Sequence, residues 1–277
     1  MSTTTTPAST TAGTTPTRAP RARNRPAPAP IPTGRLLLVE LRKMFDTRSG
    51  FWLLASIAIT ATLATGAVIL WAPQDDLTFA TFGAAIGFPM AVILPMIAIL
   101  SVTSEWSQRS GLTTFTLVPH RGRVVSAKAI VVLGTAVASM ALAFAIGAVG
   151  NLVGTAMAGT DLVWDMGLDD FGYIVGANTL GMLMGFMLGV LVRNSAGAIV
   201  AYFVYSLVEP PLSQLLAAAQ SWFADLRPWV DFNYNQNMLF EGGFTSEQWA
   251  NLAVSGGLWL IAPLGIGLAL LLRSEVK

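Results

Sequence analysis

Six long apolar stretches, separated by short polar breaks, constrain this chain more than any other feature. A helix needs about 20 apolar residues to cross a bilayer core of about 30 Å. The chain has 277 residues, of which 53% are hydrophobic and 11% are charged, so a water-soluble domain is excluded. We predict an all-α integral membrane protein with six transmembrane helices, which are Phe51 to Trp71, Phe79 to Val102, Val124 to Ala148, Phe171 to Val192, Ala196 to Leu216 and Trp249 to Leu272.

The distribution of charge predicts how these spans are oriented. With six spans and a cytoplasmic N-terminus, fifteen of the sixteen lysines and arginines fall on the cytoplasmic side, and only Arg227 falls outside. Most of the acidic residues of the connecting segments fall outside. This segregation follows the positive-inside rule. We therefore predict a multi-pass protein of the cytoplasmic membrane with both termini in the cytoplasm.

Two segments precede the first span. Residues 1 to 33 are rich in Thr, Pro, Ala and Arg, and this composition predicts a disordered cytoplasmic tail before a six-helix transmembrane domain over residues 34 to 277. From Gly34 to Ser49 the spacing predicts an amphipathic interfacial helix lying along the headgroups. Its apolar side carries Leu37, Leu41, Met44 and Phe45, and its charged residues Glu40, Arg42, Lys43 and Asp46 lie largely off that side.

The fifth span carries a polar strip and an acidic residue. Tyr202, Tyr205 and Ser206 form a polar strip that either lines a transport path or bonds to neighbouring helices. Glu209 is followed by Pro210 and Pro211, and because proline removes a backbone donor we predict a helix break there, towards the outer side. The aromatic segment that follows, up to Phe244, predicts re-entrant or interfacial outer helices.

Glycines in the fourth span predict close helix packing. Gly181, Gly185 and Gly189 repeat every four residues and leave one face smooth.

Several kinds of chemistry are missing from the sequence. There is no cysteine, the only histidine is His120, and none of the three lysines follows a glycine. A phosphate-binding GxxxxGK[ST] loop and an HExxH zinc site are therefore excluded. We expect no enzymatic activity and no cofactor in this chain.

A polar and basic segment of some twenty residues joins the second and third spans. It runs from Glu105 to Lys128 and mixes Gly, Thr and Arg with Trp106, Leu112 and Phe115. Such a mixture favours a surface docked on another protein, and the alternative is a cytoplasmic loop lying on lipid headgroups.

The six spans, the helix before them and this segment together resemble the permease subunits of type-2 ABC exporters. The residues that match the family pattern are Glu105, Gly111, Thr113, Pro119, Arg121 and Lys128, with Arg109 inside the same segment. Trp106, Ser107 and Gln108 replace the charged run that usually follows the acidic residue.

The resemblance implies a permease homodimer or pseudo-dimer, in contact with membrane lipid and with two copies of a separate ATPase that binds ATP and Mg. The segment from Glu105 to Lys128 would be the coupling element, and spans one, two and five would flank the path and the dimer seam. The substrate would be hydrophobic or amphipathic, such as a drug, peptide or lipid. We expect no nucleic-acid partner. The alternatives are a stand-alone secondary transporter and a non-transporting membrane anchor or regulator.

Overall fold

The computed structural model describes residues 32–107 and 121–273, and the six apolar stretches are helical there. The chain forms α1 (Thr33–Asp46), α2 (Arg48–Trp71), α3 (Phe79–Ser107), α4 (Arg121–Ala158), α5 (Leu168–Val192), α6 (Ser195–Ala219), α7 (Ser221–Val230), α8 (Phe232–Met238) and α9 (Ser246–Arg273). The described ranges contain no β-strand beyond one isolated bridge between Thr78 and Val163. The prediction of an all-α protein is confirmed for these residues.

Six of these helices are long and apolar enough to cross a membrane: α2, α3, α4, α5, α6 and α9. Five of them both begin and end within five residues of the predicted spans. The third was predicted too short, because α4 continues from Ala148 to Ala158. Two polar side chains in this extension donate hydrogen bonds to backbone carbonyls: Asn151 Nδ2 to Val163 O at 2.9 Å, and Thr155 Oγ1 to Asn151 O at 2.7 Å.

The centre of the bundle is formed by α3 and α5. In an apolar 18-residue stretch of each helix, 50% of α3 and 56% of α5 are buried, compared with 22% of α2 and 11% of α6. The largest buried cluster joins α2, α3, α4 and α5, and a second joins α5, α6, α8 and α9. The helices α2 and α6 therefore present mainly apolar residues on the outer surface of this chain.

Close packing of α5 on α3 explains the glycine stripe. A Cβ atom added at Gly185 would lie 2.6 Å from Pro95 O, and one added at Gly189 would lie 3.2 Å from Val102 Cβ. At Gly181 the same atom would lie 2.9 Å from Gln236 Nε2. The prediction of close packing through Gly181, Gly185 and Gly189 is confirmed.

The connection between α5 and α6 is short and well capped. Arg193 takes a left-handed backbone conformation with φ of 55°, and Asn194 Oδ1 accepts from Gly197 N at 2.9 Å. A hydrogen bond of 2.8 Å between the Thr103 and Ser195 hydroxyls ties the start of α6 to the end of α3. This places the start of α6 at the end of the bundle where α3 ends and α4 begins.

Candidate functional site

A buried ionic cluster joins α1 to α3 and α4 at the end of the bundle where α3 ends and α4 begins. We call it the α1 junction, and it comprises Glu40, Lys43, Ser101 and Lys128. Lys128 Nζ donates to Glu40 Oε2 at 2.5 Å and to Ser101 O at 2.9 Å, and Lys43 Nζ donates to Glu40 Oε1 at 2.6 Å. Glu40 and Lys128 are each 6% exposed. The ammonium group of Lys128 thus links α4 to both α1 and α3.

Charge–charge attraction keeps Glu40 ionised in this setting. Burial by itself raises the pKa of a carboxyl group. The ammonium groups of Lys128 and Lys43 outweigh that effect, and the pKa of Glu40 lies below its ordinary value of 4.5. The junction is therefore an ion pair at neutral pH.

Glu40 lies on the side of α1 that packs on the protein. The buried stripe of α1 is Leu36, Glu40 and Met44, whereas Leu38, Leu41 and Phe45 are exposed. The predicted apolar side of α1 therefore lies mostly outside the protein core, its placement along the headgroups stays a prediction, and the charged Glu40 packs on the protein instead. The reason is the partner on α4: a carboxylate is tolerated in the core when a lysine neutralises it.

Contacts along α1 show that it runs beside α4 in the same direction. Arg123 Nη2 donates to Thr33 Oγ1 at 3.4 Å, and Thr135 Oγ1 donates to Met44 Sδ at 3.7 Å, on either side of the Glu40–Lys128 pair. The 38 residues of α4 span about 57 Å at 1.5 Å per residue, which exceeds the hydrocarbon thickness of about 30 Å. The first turns of α4 are therefore long enough to extend with α1 beyond the apolar layer.

Three of the seven predicted coupling residues, Glu105, Arg121 and Lys128, fall within the described residues. Glu105 lies in the last turn of α3 and Arg121 is the first residue of α4, and only their backbone is described. Arg109, Gly111, Thr113 and Pro119 fall within residues 108–120, outside the described residues. Lys128 is placed, two turns into α4, in the ion pair with Glu40. Its coupling role stays a prediction.

The tyrosines of α6 bond to neighbouring elements. Tyr202 OH donates to Ala91 O at 2.8 Å. In a regular helix this carbonyl would accept from residue 95, but Pro95 has no N–H. Tyr202 therefore satisfies the backbone acceptor that the proline of α3 leaves free, and its ring is 3% exposed.

Tyr205 is held by α8. Tyr205 OH donates to Gln236 Oε1 at 2.8 Å, and Gln236 Nε2 donates to Ala177 O of α5 at 3.0 Å. Ser206, the third residue of the predicted polar strip, is half-buried. The alternative in which this strip bonds to neighbouring helices accounts for both tyrosines, and a path-lining role for Tyr202, Tyr205 and Ser206 stays a prediction.

The two prolines of α6 change its hydrogen-bonding pattern without ending it. A π-helical turn spans Val204–Val208, and an α-helical segment resumes at Glu209 with Pro210 and Pro211 in its first turn. Proline is tolerated in a first turn because N–H groups there lack an intrahelical partner. The Tyr205 carbonyl instead accepts from Asn233 Nδ2 at 2.8 Å. The predicted interruption is thus a local widening, and the helix continues to Ala219.

Three amide side chains and one carboxylate hold the short helices α7 and α8 against α6 and α9. We call Asp231, Asn233, Asn235 and Gln236 the amide network. Asn235 Nδ2 donates to Pro228 O at 2.6 Å, to Asp231 O at 2.9 Å and to Ser255 Oγ of α9 at 3.0 Å.

Asp231 anchors the start of α8 within the same network. Its carboxylate accepts from Tyr234 N at 2.8 Å, from Arg227 Nε at 3.1 Å and from the Ser213 hydroxyl of α6. The guanidinium of Arg227 lies 4.4 Å from the centre of the Tyr234 ring. Sequence reasoning identified the segment as structured but missed these residues, whose spacing of Asp, Asn, Asn and Gln over six positions was the available signal.

Comparison with known proteins does not assign the chain to a family. No protein-family model matches the chain, and the search of curated proteins finds no match.

Proposed function

We propose that this chain is the permease subunit of an ATP-driven exporter of the type-2 ABC class. In this proposal it forms the translocation path, both termini are cytoplasmic, and a separate ATPase binds ATP and Mg. The cargo is hydrophobic or amphipathic, consistent with spans that carry few charges.

The observation that carries the proposal is the position of the α1 junction. Lys128 of α4 bonds to Ser101 of α3, close to the points where the segment between these helices leaves and enters the bundle. Glu40 adds α1 to the same cluster. A partner that displaces residues 108–120 would therefore act on α1, α3 and α4 at once. A membrane anchor with a solvated loop has no need of such a link between the loop and three helices.

The ends of the helices support the proposed orientation. Arg123 near the start of α4, Arg193 after α5 and Arg273 at the end of α9 share the end of the bundle that carries α1. The acidic residues Asp75 and Asp165 belong to connections at the opposite end. The positive-inside rule then assigns the α1 end to the cytoplasm.

The exposed helices α2 and α6 support assembly with a second permease copy. They correspond to spans one and five, and only 22% and 11% of their apolar 18-residue stretches are buried. In this proposal part of that surface forms the dimer seam and the rest faces lipid.

Co-expression with a candidate ABC ATPase subunit tests the proposal. We expect a stable complex in detergent, and we expect Glu105→Ala and Arg121→Ala each to weaken co-purification or to abolish the effect of the permease on ATP hydrolysis. Arg273→Ala is the matched control, because it removes an exposed charge at the same end of the bundle. Unchanged co-purification and hydrolysis in both loop variants would contradict the coupling assignment.

A stand-alone secondary transporter is the second candidate, and Glu209 favours it. Glu209 Oε2 is buried without a hydrogen-bond partner, and its carboxyl faces that of Asp231. Ion-coupled carriers use such intramembrane carboxyls. This candidate predicts proton-driven uptake or efflux by the chain alone in liposomes, abolished by Glu209→Gln; flux that requires the ATPase excludes it.

A further inference from the structure

An apolar groove of about 560 Å³ runs between α1 and α2 on one side and α4 on the other. Its walls include Leu38, Leu41 and Phe45 of α1, Ile57 of α2, and α4 from Ile130 to Leu142. These α1 side chains are 40 to 56% exposed, although they are large and hydrophobic. This is the apolar face of α1 that the protein core leaves uncovered.

The length of the groove suits one hydrocarbon chain. Gly134 forms part of the floor, and a Cβ added there would meet nothing within 4 Å, so the glycine leaves open space. The twelve residue steps from Ile130 to Leu142 correspond to about 18 Å. One leaflet of a bilayer core is about 15 Å thick. A single acyl chain therefore matches the groove from the level of α1 to the middle of the span.

Positive charge beside the groove favours a lipid with an anionic headgroup. Arg35 and Arg42 are seven residues apart and share the stripe of α1 next to Leu38 and Phe45. Both are exposed, and neither forms an ion pair with another described residue. Asp46, one turn beyond Arg42, is the exposed acid on that side. The edge of the groove keeps a net positive charge, which complements an anionic phosphate.

We propose that this groove is a binding site for one anionic phospholipid, with an acyl chain along α4 and the phosphate on Arg35 and Arg42. The site does not depend on an ATPase partner or on the exporter assignment. Bound lipid would cover the exposed side of α1 while the α1 junction holds its other side. The helix would then be held on both sides in a membrane that contains anionic lipid.

Native mass spectrometry of the full chain, with phosphatidylglycerol and phosphatidylcholine of identical acyl chains, tests the site. We expect wild-type protein to retain one phosphatidylglycerol in preference to phosphatidylcholine. Gly134→Leu fills the groove and should weaken retention of either lipid roughly tenfold or more. Ala138→Leu, at a second lining position, should act in the same direction. Arg35→Ala and Arg42→Ala should each reduce the preference about fivefold, because a basic residue near anionic lipid contributes about that factor.

Gly66→Leu is the matched control, because Gly66 is also a helical glycine with open space around it but lies outside the groove. It should bind lipid as wild type does. Equal binding of the two lipids, or unchanged retention in both Gly134→Leu and Ala138→Leu, would overturn the proposal. Conversion of a dimer to a monomer by Gly134→Leu would show that a second copy occupies the groove. Stronger lipid retention after deletion of residues 2–30 would show that the N-terminal tail occupies it. Either result also overturns the proposal.

Discussion

The two ends of the bundle are held together by different chemistry. At the α1 junction, full charges on α1 and α4 meet in a buried pair, with Ser101 O as a further acceptor. At the amide network, the uncharged Asn and Gln side chains of α8 bond mainly to backbone carbonyls, including the Tyr205 carbonyl beside the prolines of α6, and Asp231 forms an ion pair with Arg227. The α1 junction depends on the ionisation state of its members, whereas the amide network combines one ion pair with neutral bonds that depend on geometry.

This difference predicts how each end responds to change. A buried ion pair can be replaced by apolar residues of similar volume at little cost, because the attraction offsets a large desolvation penalty. A buried carbonyl has no such substitute, and it needs a donor wherever the helix path leaves it free. The α1 junction is therefore the end that a partner, a lipid or a change of pH can alter, whereas the amide network is a fixed support.

Removal of one partner from the α1 junction should have the largest effect. Lys128→Met leaves the buried Glu40 carboxylate with only the half-exposed Lys43, and we expect a loss of about 3 kcal/mol in the free energy of unfolding. The measurement is denaturant unfolding in detergent. Glu40→Leu combined with Lys128→Met should recover much of that loss.

Lys43→Met provides the matched control for this experiment. The Lys43 side chain is 40% exposed, so its pair with Glu40 should contribute less than about 1 kcal/mol. If Lys128→Met is no more destabilising than Lys43→Met, the junction does not act as a buried ion pair and the contrast between the two ends fails.

Acidification should weaken the same junction more gently. Because the pKa of Glu40 is lowered in the folded protein, the stabilisation is complete above the ordinary value of 4.5 and is lost as the pH falls through the folded value. Protonated Glu40 retains hydrogen bonds, so the loss is smaller than for Lys128→Met. An environment-sensitive dye on Val39→Cys, in this cysteine-free chain, should report movement of α1 below about pH 4.5.

Glu40→Gln in the same labelled chain should abolish that transition. A transition of equal size and midpoint in the Glu40→Gln protein would show that another group is responsible.

The sequence predicted the spans well, because length and hydropathy are local properties. It also predicted the packing role of Gly185, since a four-residue repeat of small residues has one main structural use. It did not indicate which side of α1 packs on the protein, where Glu40 is buried and Phe45 is exposed. Periodicity identifies two faces of a helix, but which face packs on protein depends on a lysine 88 positions further along the chain.

The same limit applies to the proline sites. Pro95 and Pro210 signal that a carbonyl loses its donor, and this much follows from covalent chemistry. The sequence does not indicate that Tyr202 supplies a donor to one helix and Asn233 to the other, because each bond joins residues distant in sequence. The polar strip of α6 was therefore recognised as a feature, while its partners required the structure.

Within the amide network, Asn235→Ala should have an intermediate effect. It removes the contacts that the two Nδ2 hydrogens share among Pro228 O, Asp231 O and Ser255 Oγ, although Asp231 O keeps the backbone N–H of residue 235. We expect a loss of about 2 kcal/mol in the free energy of unfolding. The expected effect does not change with acid, in contrast to that of the α1 junction.

Asn237→Ala is the control for Asn235→Ala, because Asn237 is exposed and bonds only to Asn233 within α8. Its effect should stay within about 0.5 kcal/mol. Equal effects of the two substitutions would show that the network gains nothing from its contacts with α7 and α9.

The smallest effect should come from Tyr202→Phe, which tests whether the tyrosine serves the carbonyl that Pro95 leaves free. The ring remains packed and one hydrogen bond is lost, so we expect a loss of about 1 kcal/mol. Pro95→Ala restores an N–H that can donate to Ala91 O, and in that background Tyr202→Phe should cost much less. The difference between the two costs measures the coupling directly, whatever Pro95→Ala does to the shape of α3. Equal costs in both backgrounds would mean that Tyr202 stabilises the protein independently of Pro95. The missing N–H of the proline would then not explain the hydrogen bond from Tyr202 to Ala91 O.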